Sequence, residues 1–320
     1  MITRTNYLLV LIAIIIFQLQ ACGQNKQKQE KLVRESTIAF NAGHYTNALN
    51  GFDKLISLDS ADSASWAFRA RTLYFLKRDD EALFAFNKAI AINPKYYEGY
   101  SYRATFYSLN GQFELAIKDI NMALIGKKDD TKLLETRAGY FLRSNKFDNA
   151  ISDCNYLLQL DPKNAKTLYF RGIALKKTGN IEKALADFNN SIEINPNNAE
   201  IHNDRGFVFI AQEKYNLAIA DFTKSIQLTE TKDTAGKAYS YNNLGFCQYK
   251  NGNLEQALKD VNYSIKLLPT NPYAYRNRAL IFLEMKKKAE ACADIELSLQ
   301  LGFTKNFGDE VIKLQIKNCK

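Results

Sequence analysis

The residue types that usually carry catalysis or bind metals are few in this chain and stand apart. Its two histidines, His44 and His202, have no partner at a metal-ligand spacing. The sequence contains no glycine-rich phosphate loop, no Gly-x-Ser-x-Gly elbow and no His-Glu-x-x-His motif. Acidic pairs such as Asp79 and Asp80 stand where helices are expected to begin, and negative charge suits the helix dipole there. We therefore expect no catalytic residue, no metal site and no cofactor.

The cysteines outside the amino-terminal segment fall into two pairs. Cys154 and Cys247 stand at apolar positions far apart in the chain, where cysteine behaves as a small apolar residue. Cys292 and Cys319 lie near the carboxyl end. If the chain folds back around Gly302, position 292 faces roughly position 315, within one helical turn of 319. We expect a disulfide between Cys292 and Cys319.

The amino-terminal segment differs from the rest of the chain. Arg4 is the only charge before an apolar run from Leu8 to Phe17, which is short for a membrane span and typical of a secretory signal peptide. Leu19 to Gly23 then resembles a bacterial lipobox, in which an apolar, a variable and a small residue precede a cysteine. That resemblance implies cleavage before Cys22, a diacylglycerol on its thiol and an acyl chain, such as palmitate, on its amine.

The resulting expectation is a lipoprotein signal peptide at residues 1–21 and a lipid-attached flexible tether at residues 22–30. The tether is rich in Gln and Lys and lacks hydrophobic periodicity. Two alternatives are an ordinary signal peptide with a chance cysteine and an uncleaved anchor. Because Gly23, and not aspartate, follows the cysteine, the resemblance favours the outer membrane of a bacterial cell envelope, on its periplasmic or surface face.

A period of 34 residues organises the remainder of the chain. Alanine recurs at Ala48, Ala82, Ala116, Ala150, Ala184 and Ala218, and after an insertion at Ala257 and Ala291. A period of this length indicates a solenoid. With this alanine as position 20, position 8 is small and position 24 is apolar, which is typical of two closely crossing helices. Glycine or asparagine at position 15 and proline at position 32 are expected to end the two helices.

These columns resemble the tetratricopeptide repeat (TPR), most clearly from Tyr169 to Pro196 and from Tyr241 to Pro269, and the likeness covers residues 29–303. The resemblance implies an all-α, right-handed superhelical solenoid of about eight helix-turn-helix repeats plus a C-terminal capping helix. The expected helix pairs, numbered as repeats one to eight, cover residues 31–60, 63–94, 97–128, 131–162, 165–196, 199–230, 238–269 and 272–303, and the capping helix covers 304–320.

Two segments depart from the regular period. The insertion from Thr229 to Lys237 carries five extra polar residues, and we expect a longer loop there, with a hinge as the alternative. The tail is expected to form one amphipathic helix that covers the last repeat. Its predicted apolar face consists of Phe307, Val311, Leu314 and Ile316.

Arginine and aspartate recur in two further columns. Position 7 is arginine in six repeats, and position 23 is aspartate in six repeats, for example Arg103 with Asp119 and Arg278 with Asp294. In an antiparallel helix pair these positions lie nearly opposite each other. Bridges within a repeat and bridges to the next repeat are both open at this point. Because the pattern recurs along the chain, we expect a structural role.

In an array of this family, positions 2, 5, 9, 12 and 13 of the first helices line a concave groove. In the C-terminal repeats most of these positions are aromatic, aliphatic, amide or basic. The predicted partner-binding residues are Tyr169, Ile173, Lys176, Lys177, Asn203, Phe207, Ile210, Tyr239, Asn242, Phe246, Tyr249, Lys250, Tyr273, Arg276 and Leu280. Aromatic residues with polar tips suit a surface that is wet when free and buried when bound. The alternative is that these aromatics only pack one repeat against the next.

The function that follows is a non-catalytic, membrane-anchored adaptor that binds a peptide or protein partner in this groove. The alternative is a structural accessory subunit of a cell-envelope assembly or secretion complex. The net charge is +9, but basic and acidic residues are interleaved throughout the chain, so we expect neither a nucleic-acid partner nor a small-molecule substrate.

Overall fold

The computed structural model of the chain describes residues 26–230 and 232–319. All regular secondary structure in these two ranges is helical, which confirms the predicted all-α repeat fold. The expected signal peptide at residues 1–21, Cys22 and the first residues of the tether lie outside the described residues. Within the described ranges, each helix is too short or too polar to cross a membrane.

The chain forms two compact units, Met1–Lys146 and Phe147–Lys320. The described helices of the N-terminal unit are α1 (26–41), α2 (Tyr45–Leu58), α3 (Ser63–Phe75), α4 (Asp79–Ile92), α5 (Tyr97–Leu109), α6 (Phe113–Gly126) and α7 (Thr131–Arg143). Those of the C-terminal unit are α8 (Phe147–Leu160), α9 (Ala165–Lys177), α10 (Ile181–Ile194), α11 (Ala199–Ala211), α12 (Tyr215–Leu228), α13 (Thr234–Lys250), α14 (Leu254–Leu267), α15 (Pro272–Glu284), α16 (Lys288–Gln300), α17 (Phe303–Phe307) and α18 (Glu310–Asn318).

Close helix crossings explain the small and bulky columns of the sequence. The eight alanines at position 20 are fully buried. A Cβ added to Gly172 would lie 2.7 Å from a ring carbon of Phe188, and one added to Gly206 would lie 2.9 Å from the ring of Phe222. The bulky residue at position 24 therefore occupies the space that the small residue at position 8 leaves open.

The two helices of a repeat begin in different ways. Side chains such as Asp62 and Asn164 cap the first helices by accepting hydrogen bonds from backbone amides. The second helices follow a residue with positive φ, which is glycine or asparagine at five of the turns, as expected from the sequence. Lys77, Glu213 and Lys286 adopt the same conformation, with φ of 61°, 58° and 62°, and the sequence did not indicate this.

The amino-terminal end of the described chain differs from the expected tether. Helix α1 already includes residues 26–30, which were expected to belong to the flexible tether. Gln, Lys and Glu have high helix propensity, and Lys31 and Glu35 form an ion pair one turn apart, with 3.8 Å between nitrogen and oxygen. A polar segment without hydrophobic periodicity can therefore continue a helix that is buried further along.

The insertion between repeats six and seven contributes to a helix. Asp233 caps α13 by accepting a hydrogen bond from the amide of Gly236 at 2.8 Å, and α13 begins at Thr234 rather than at the expected residue 238. Part of the predicted loop thus forms an additional turn at the start of the first helix of repeat seven.

The C-terminal cap consists of two helices and not one. Gly308, with φ of 89°, follows α17 and separates it from α18. Phe303 and Val311 are buried against the last repeat, and Leu314 packs beside them. Ile316 is 53% exposed, so its assignment to the buried face of the cap is wrong; helical spacing places it about 140° around α18 from the buried Val311.

A disulfide ties this cap to the last repeat. Cys292 on α16 and Cys319, the residue after α18, are bonded with 5.7 Å between their Cα atoms. Cys154 and Cys247 are reduced and buried. Burial raises the pKa of the Cys247 thiol to about 12, which suits a packing role and disfavours a reactive thiolate.

The arginine and aspartate columns form ion pairs within a repeat. Arg103 donates from Nε and Nη2 to the two carboxylate oxygens of Asp119 at 2.7 and 2.8 Å, and from Nη1 to Oδ1 of Asn87 in the preceding repeat at 2.6 Å. The same arrangement joins Arg171 with Asp187 and Asn155, Arg205 with Asp221 and Asn189, and Arg278 with Asp294 and Asn262. Each arginine therefore links two repeats.

Candidate functional site

Three first helices of the C-terminal unit, α11, α13 and α15, line one cavity of about 530 Å³. Its lining residues are Asn203, Phe207, Ile210, Tyr239, Asn242, Asn243, Phe246, Tyr273, Arg276 and Asn277. Eight of these ten stand at groove positions identified from the sequence. Asn243 and Asn277 were missed because they occupy position 6. Positions 2, 5, 6 and 9 form one stripe of a helix, so helical spacing alone would have included them.

Aromatic side chains provide the apolar surface of this cavity. Phe207 is 42% exposed and Tyr239 is 49% exposed. The Phe207 ring is supported from below by Phe222, in an edge-to-face contact with 5.6 Å between the ring centroids. Aromatic area that is held in place and still accessible favours the binding of an apolar group.

The floor of the cavity contains a chain of polar contacts. Asn277 donates from Nδ2 to Oδ1 of Asn242 at 2.9 Å, and both side chains are buried. Arg276 in turn donates from Nη1 to Oδ1 of Asn277 at 2.6 Å. These hydrogen bonds engage the carbonyl oxygen of Asn242. They orient its Nδ2 group, which takes no part in them, as a hydrogen-bond donor.

Arg276 is held by a carboxylate and by an aromatic ring. Its Nε donates to Oε1 of Glu310 at 3.0 Å, and its Nη2 also contacts that oxygen. Its guanidinium lies 5.5 Å from the centroid of the Phe246 ring, a cation–π distance. Lys250 lies near the same ring and near Tyr249. Its Nζ is 5.8 Å from the ring centroid of Phe246 and 6.0 Å from that of Tyr249.

A second, more polar cavity of about 700 Å³ adjoins the first, because Asn203 and Tyr239 line both. Tyr169 lines it and donates its hydroxyl to Oδ2 of Asp204 at 2.8 Å, and Lys176 donates to Oδ1 of the same carboxylate at 2.5 Å. Burial, followed by the charge of Asp204, raises the pKa of Tyr169 well above its usual range. Tyr169 and Lys176 are therefore already engaged with a neighbouring repeat.

The remaining predicted groove residues lie outside the two cavities. Ile173 packs against the core of its own hairpin and Tyr249 against the core of repeat seven. Lys177 is exposed. The structure thus concentrates the candidate site on repeats six to eight, and it places residues of repeat five at the edge or in the core.

His202 is structural. It is 6% exposed, and its two ring nitrogens lie 3.2 Å from Oδ1 of Asp221 and 3.0 Å from the carbonyl oxygen of Pro196. In the part of the chain that the structure describes, no three His, Cys, Asp or Glu side chains are grouped so that they could hold a metal ion.

Models of one repeat family match three segments of the chain. A model described as TPR repeat matches residues 172–212, and two described as tetratricopeptide repeat match residues 63–96 and 85–118. The STIP1 homolog of Dictyostelium discoideum is 28% identical over 102 residues, which is 32% of this chain and 18% of that protein. The match thus spans less than a fifth of the length of this relative.

Solved structures share the fold at low sequence identity. The APC/C Cut9–Hcn1 hetero-tetramer has a TM-score of 0.62 at 16% identity, over 88% of this chain and 55% of that chain. The C-terminal part of a TPR repeat-containing protein from Cytophaga hutchinsonii has a TM-score of 0.58 at 20% identity, over 77% of this chain and 98% of that chain. YrrB, described as a TPR protein with an unusual peptide-binding site, has a TM-score of 0.50 at 19% identity, over 62% of this chain and 97% of that chain. The family matches show tetratricopeptide repeats at residues 63–118 and 172–212, and the solved structures share the helical repeat fold of the chain.

Proposed function

We propose that this chain is a non-catalytic adaptor that binds an extended peptide segment of a partner protein in the cavity on α11, α13 and α15. The observation that carries the proposal is the combination of half-exposed aromatic rings and a buried, oriented amide in one cavity of about 530 Å³. A cavity of this size lies within the range of protein ligand sites. The peptide-binding site named for YrrB, which shares the fold, supports the proposal.

The aromatic rings define the anchor of the peptide. Phe207 and Tyr239 remain accessible in the free chain, and the largest gains on binding come from aromatic surfaces that become fully desolvated. The segment should therefore place an aliphatic or aromatic side chain between them. The oriented Nδ2 group of Asn242 suits a peptide carbonyl, because a carbonyl oxygen is an acceptor without side-chain specificity.

The flanking residues of the peptide should be polar or basic on one side. The adjoining 700 Å³ cavity is lined by the carboxylates of Glu200, Asp204, Glu230 and Asp233, and no lysine or arginine lines it among the described residues. Among the described residues, Asp204 is the one of these four carboxylates that forms an ion pair, with Lys176. Charge complementarity of this kind sets the orientation of a bound segment and its rate of association.

Selection of binders from a displayed random peptide library against the full chain tests this function. The selected peptides should share an apolar anchor, and Phe207→Ala combined with Tyr239→Ala should weaken their binding at least about tenfold. These two positions are preferable to Tyr249, because Tyr249 packs against the core and its truncation would also change stability.

The matched control is Phe84→Ala, which removes a 62% exposed aromatic ring from the N-terminal unit and should leave binding unchanged. Helical content and melting temperature are measured for each variant. Selected peptides that bind the double variant as tightly as the wild type would place the binding face elsewhere and favour the structural accessory role.

We further propose that the chain is a lipoprotein of a bacterial cell envelope, anchored through Cys22 and held at the outer membrane. The support is the apolar run followed by Leu19 to Cys22 in the sequence. The disulfide between Cys292 and Cys319 suits an oxidising compartment outside the cytoplasm. Three acyl chains would exceed the two signals that stable anchoring requires.

Mass spectrometry of the mature amino terminus tests the anchor. The expected product begins with an acylated Cys22, and Cys22→Ser should leave the chain unlipidated and release it from the membrane fraction. The matched control is Cys247→Ser, which removes a cysteine of the repeats. An intact Met1 or an unmodified Cys22 in the mature chain would exclude the proposal.

A further inference from the structure

Repeat seven lacks the arginine that six of the eight repeats carry at position 7. In repeat seven, position 7 is Leu244, whereas repeats three, five, six and eight carry Arg103, Arg171, Arg205 and Arg278 there. The aspartate of position 23 is nevertheless present as Asp260. Repeat seven therefore retains the acceptor of the ion pair without its donor.

Asp260 is a buried carboxylate with one unsatisfied oxygen. The residue is 5% exposed. Its Oδ1 accepts a hydrogen bond from Nε2 of Gln256 at 2.9 Å, and its Oδ2 has no hydrogen-bond partner among the described residues. A buried acceptor of this kind costs free energy unless a donor reaches it. Burial raises the pKa of Asp260 for the same reason, because it disfavours the charged form.

An open cavity of about 510 Å³ lies over this carboxylate. It is lined by Tyr241, Lys259, Asp260, Asn262, Tyr263 and Lys266. The rings of Tyr241 and Tyr263 meet edge to face, with 4.7 Å between centroids, and Tyr263 is 42% exposed. None of these residues lines the candidate groove, so the cavity is a separate site.

Tyr241 occupies the place of an aromatic ring that contacts arginine in other repeats. In repeat eight the guanidinium of Arg278 lies 5.6 Å from the centroid of Tyr275, the residue 34 positions after Tyr241. In repeat three the guanidinium of Arg103 lies 5.7 Å from the centroid of Tyr100. The cavity of repeat seven thus retains both the carboxylate and the aromatic face that bind a guanidinium elsewhere in this chain.

We propose that this cavity binds the guanidinium of an arginine side chain of a partner protein, with Asp260 as its carboxylate acceptor and Tyr241 as its aromatic face. A guanidinium has five donors in a planar fork, so it can bond a carboxylate while it lies against an aromatic ring. Because Oδ2 of Asp260 is buried, the side chains that cover it must move aside when the guanidinium binds. The internal pairs of this chain provide the geometry, with two bonds of 2.7 to 2.8 Å between Arg278 and Asp294. An ammonium group lacks this fork and is more strongly hydrated.

The two lysines that line the cavity add positive charge, which weakens the binding of a cation but leaves the carboxylate of Asp260 as its acceptor. Lys259 and Lys266 line the cavity and are exposed, yet neither forms an ion pair with Asp260 in the described structure. Oδ1 of Asn262 is already occupied by Nη1 of Arg278 at 2.7 Å. The buried Oδ2 of Asp260 is therefore the acceptor that remains for an incoming donor.

Binding of small arginine probes to the full chain tests the proposal. The probe is Nα-acetyl-arginine methylamide, and its neutral counterpart is Nα-acetyl-citrulline methylamide, which has a similar shape without the charge. Saturable binding of the arginine probe is expected by NMR titration, with signals of Tyr241 and Tyr263 shifted. Citrulline should bind at least about tenfold more weakly, because truncating one partner of a buried charge pair has an effect of this order or larger.

Three variants distinguish this site from general electrostatic attraction. Asp260→Asn should abolish arginine binding, and Leu244→Arg should also abolish it because the chain then fills the cavity with its own guanidinium. Glu255→Gln removes one negative charge from the same helix at an exposed position and should leave binding unchanged. The groove variant, Phe207→Ala with Tyr239→Ala, should also bind the probe as the wild type does.

Three results would overturn the proposal: no saturable binding to the wild type, equal binding of arginine and citrulline, or arginine binding that persists in Asp260→Asn. Thermal melting shows whether each variant retains its structure. If Leu244→Arg does not fold, the result for Asp260→Asn is sufficient to test the proposal. Loss of peptide binding in the groove with retained arginine binding would separate this site from the proposed adaptor function.

Discussion

Asn277 donates from Nδ2 to Oδ1 of Asn242 at 2.9 Å, and the two buried side chains join repeats eight and seven beneath the candidate groove. A hydrogen bond between neighbouring repeats carries part of the interface energy of a solenoid. The same bond orients the amide that faces the cavity. Stability and binding should therefore depend on one contact.

Asn277→Ala tests this double role. It should lower the free energy of unfolding by about 1–3 kcal/mol, because the buried Oδ1 of Asn242 loses its donor, and it should weaken peptide binding as well. A double-mutant cycle with Asn242→Ala measures the coupling by denaturant unfolding. Additive effects of the two substitutions would show that the bond contributes little.

The contribution of the position-23 aspartates to the free energy of unfolding should depend on pH in two different ways. Asp221 represents the aspartates that are paired with an arginine. Burial opposes its ionisation, but hydrogen bonds from Arg205 and His202 hold the pKa of Asp221 below its usual value. A lowered pKa contributes stability above the ordinary aspartate pKa of about 4, and this contribution is lost as the pH falls. Asp221→Asn should thus lower the free energy of unfolding at pH 7 by about 3 kcal/mol, with a smaller difference in acid.

Asp260→Asn should change the free energy of unfolding at pH 7 in the direction opposite to Asp221→Asn. Burial raises the pKa of Asp260, so ionisation of this residue destabilises the fold as the pH rises through the raised value. The variant should be at least as stable as the wild type at pH 7, and its advantage should grow from pH 4 upward. Denaturant unfolding at several pH values measures both aspartate variants, and a loss of stability in Asp260→Asn at pH 7 would contradict this account.

Much of the fold could be predicted because its packing repeats. The contact between Gly172 and Phe188 recurs 34 residues later between Gly206 and Phe222, so each column of the sequence reports the same local geometry several times. The groove stripe was largely predictable for the same reason. Local features without repetition were not predictable, such as the break at Gly308 that divides the cap and the extra turn that Asp233 caps.

The site on repeat seven shows a different limit of sequence reasoning. Asp260 was visible as a member of its column, and Leu244 as an exception to another. Whether the missing arginine leaves an open cavity or a collapsed one depends on Tyr241, Tyr263 and the lysine stems around them. That outcome is decided by side-chain packing in three dimensions, which a column of residue types does not contain.

Positive φ at the turn between the two helices of a repeat allows a prediction about the backbone alone. Lys286 adopts φ of 62°, a conformation that costs a side-chain-bearing residue about 1–2 kcal/mol relative to glycine. Lys286→Gly should therefore raise the free energy of unfolding by up to about 1 kcal/mol, since glycine loses more entropy on folding.

Gly252→Ala is the matched reverse substitution. Gly252 has φ of 80°, and an added Cβ would meet nothing within 4 Å. Any loss of stability, expected at about 1 kcal/mol, thus reports the backbone conformation and not a clash. Denaturant unfolding measures the free energy of unfolding of both variants. If Lys286→Gly and Gly252→Ala changed it in the same direction, the backbone conformation would not explain the effects.

The disulfide should stabilise the C-terminal cap against local unfolding. Cys292 and Cys319 are separated by 27 residues, and closing a loop of this length stabilises the folded state by about 3 kcal/mol in the chain-entropy model. Cys319→Ser, or reduction of the wild type, should increase amide hydrogen exchange in α17 and α18 before it affects earlier repeats. Helix α18 contacts mainly α16 and α17, and Glu310 adds one ion pair with Arg276 of α15. Cys247→Ser, which removes a buried cysteine that forms no disulfide, is the control, and unchanged exchange in the cap after reduction would show that apolar packing alone holds it in place.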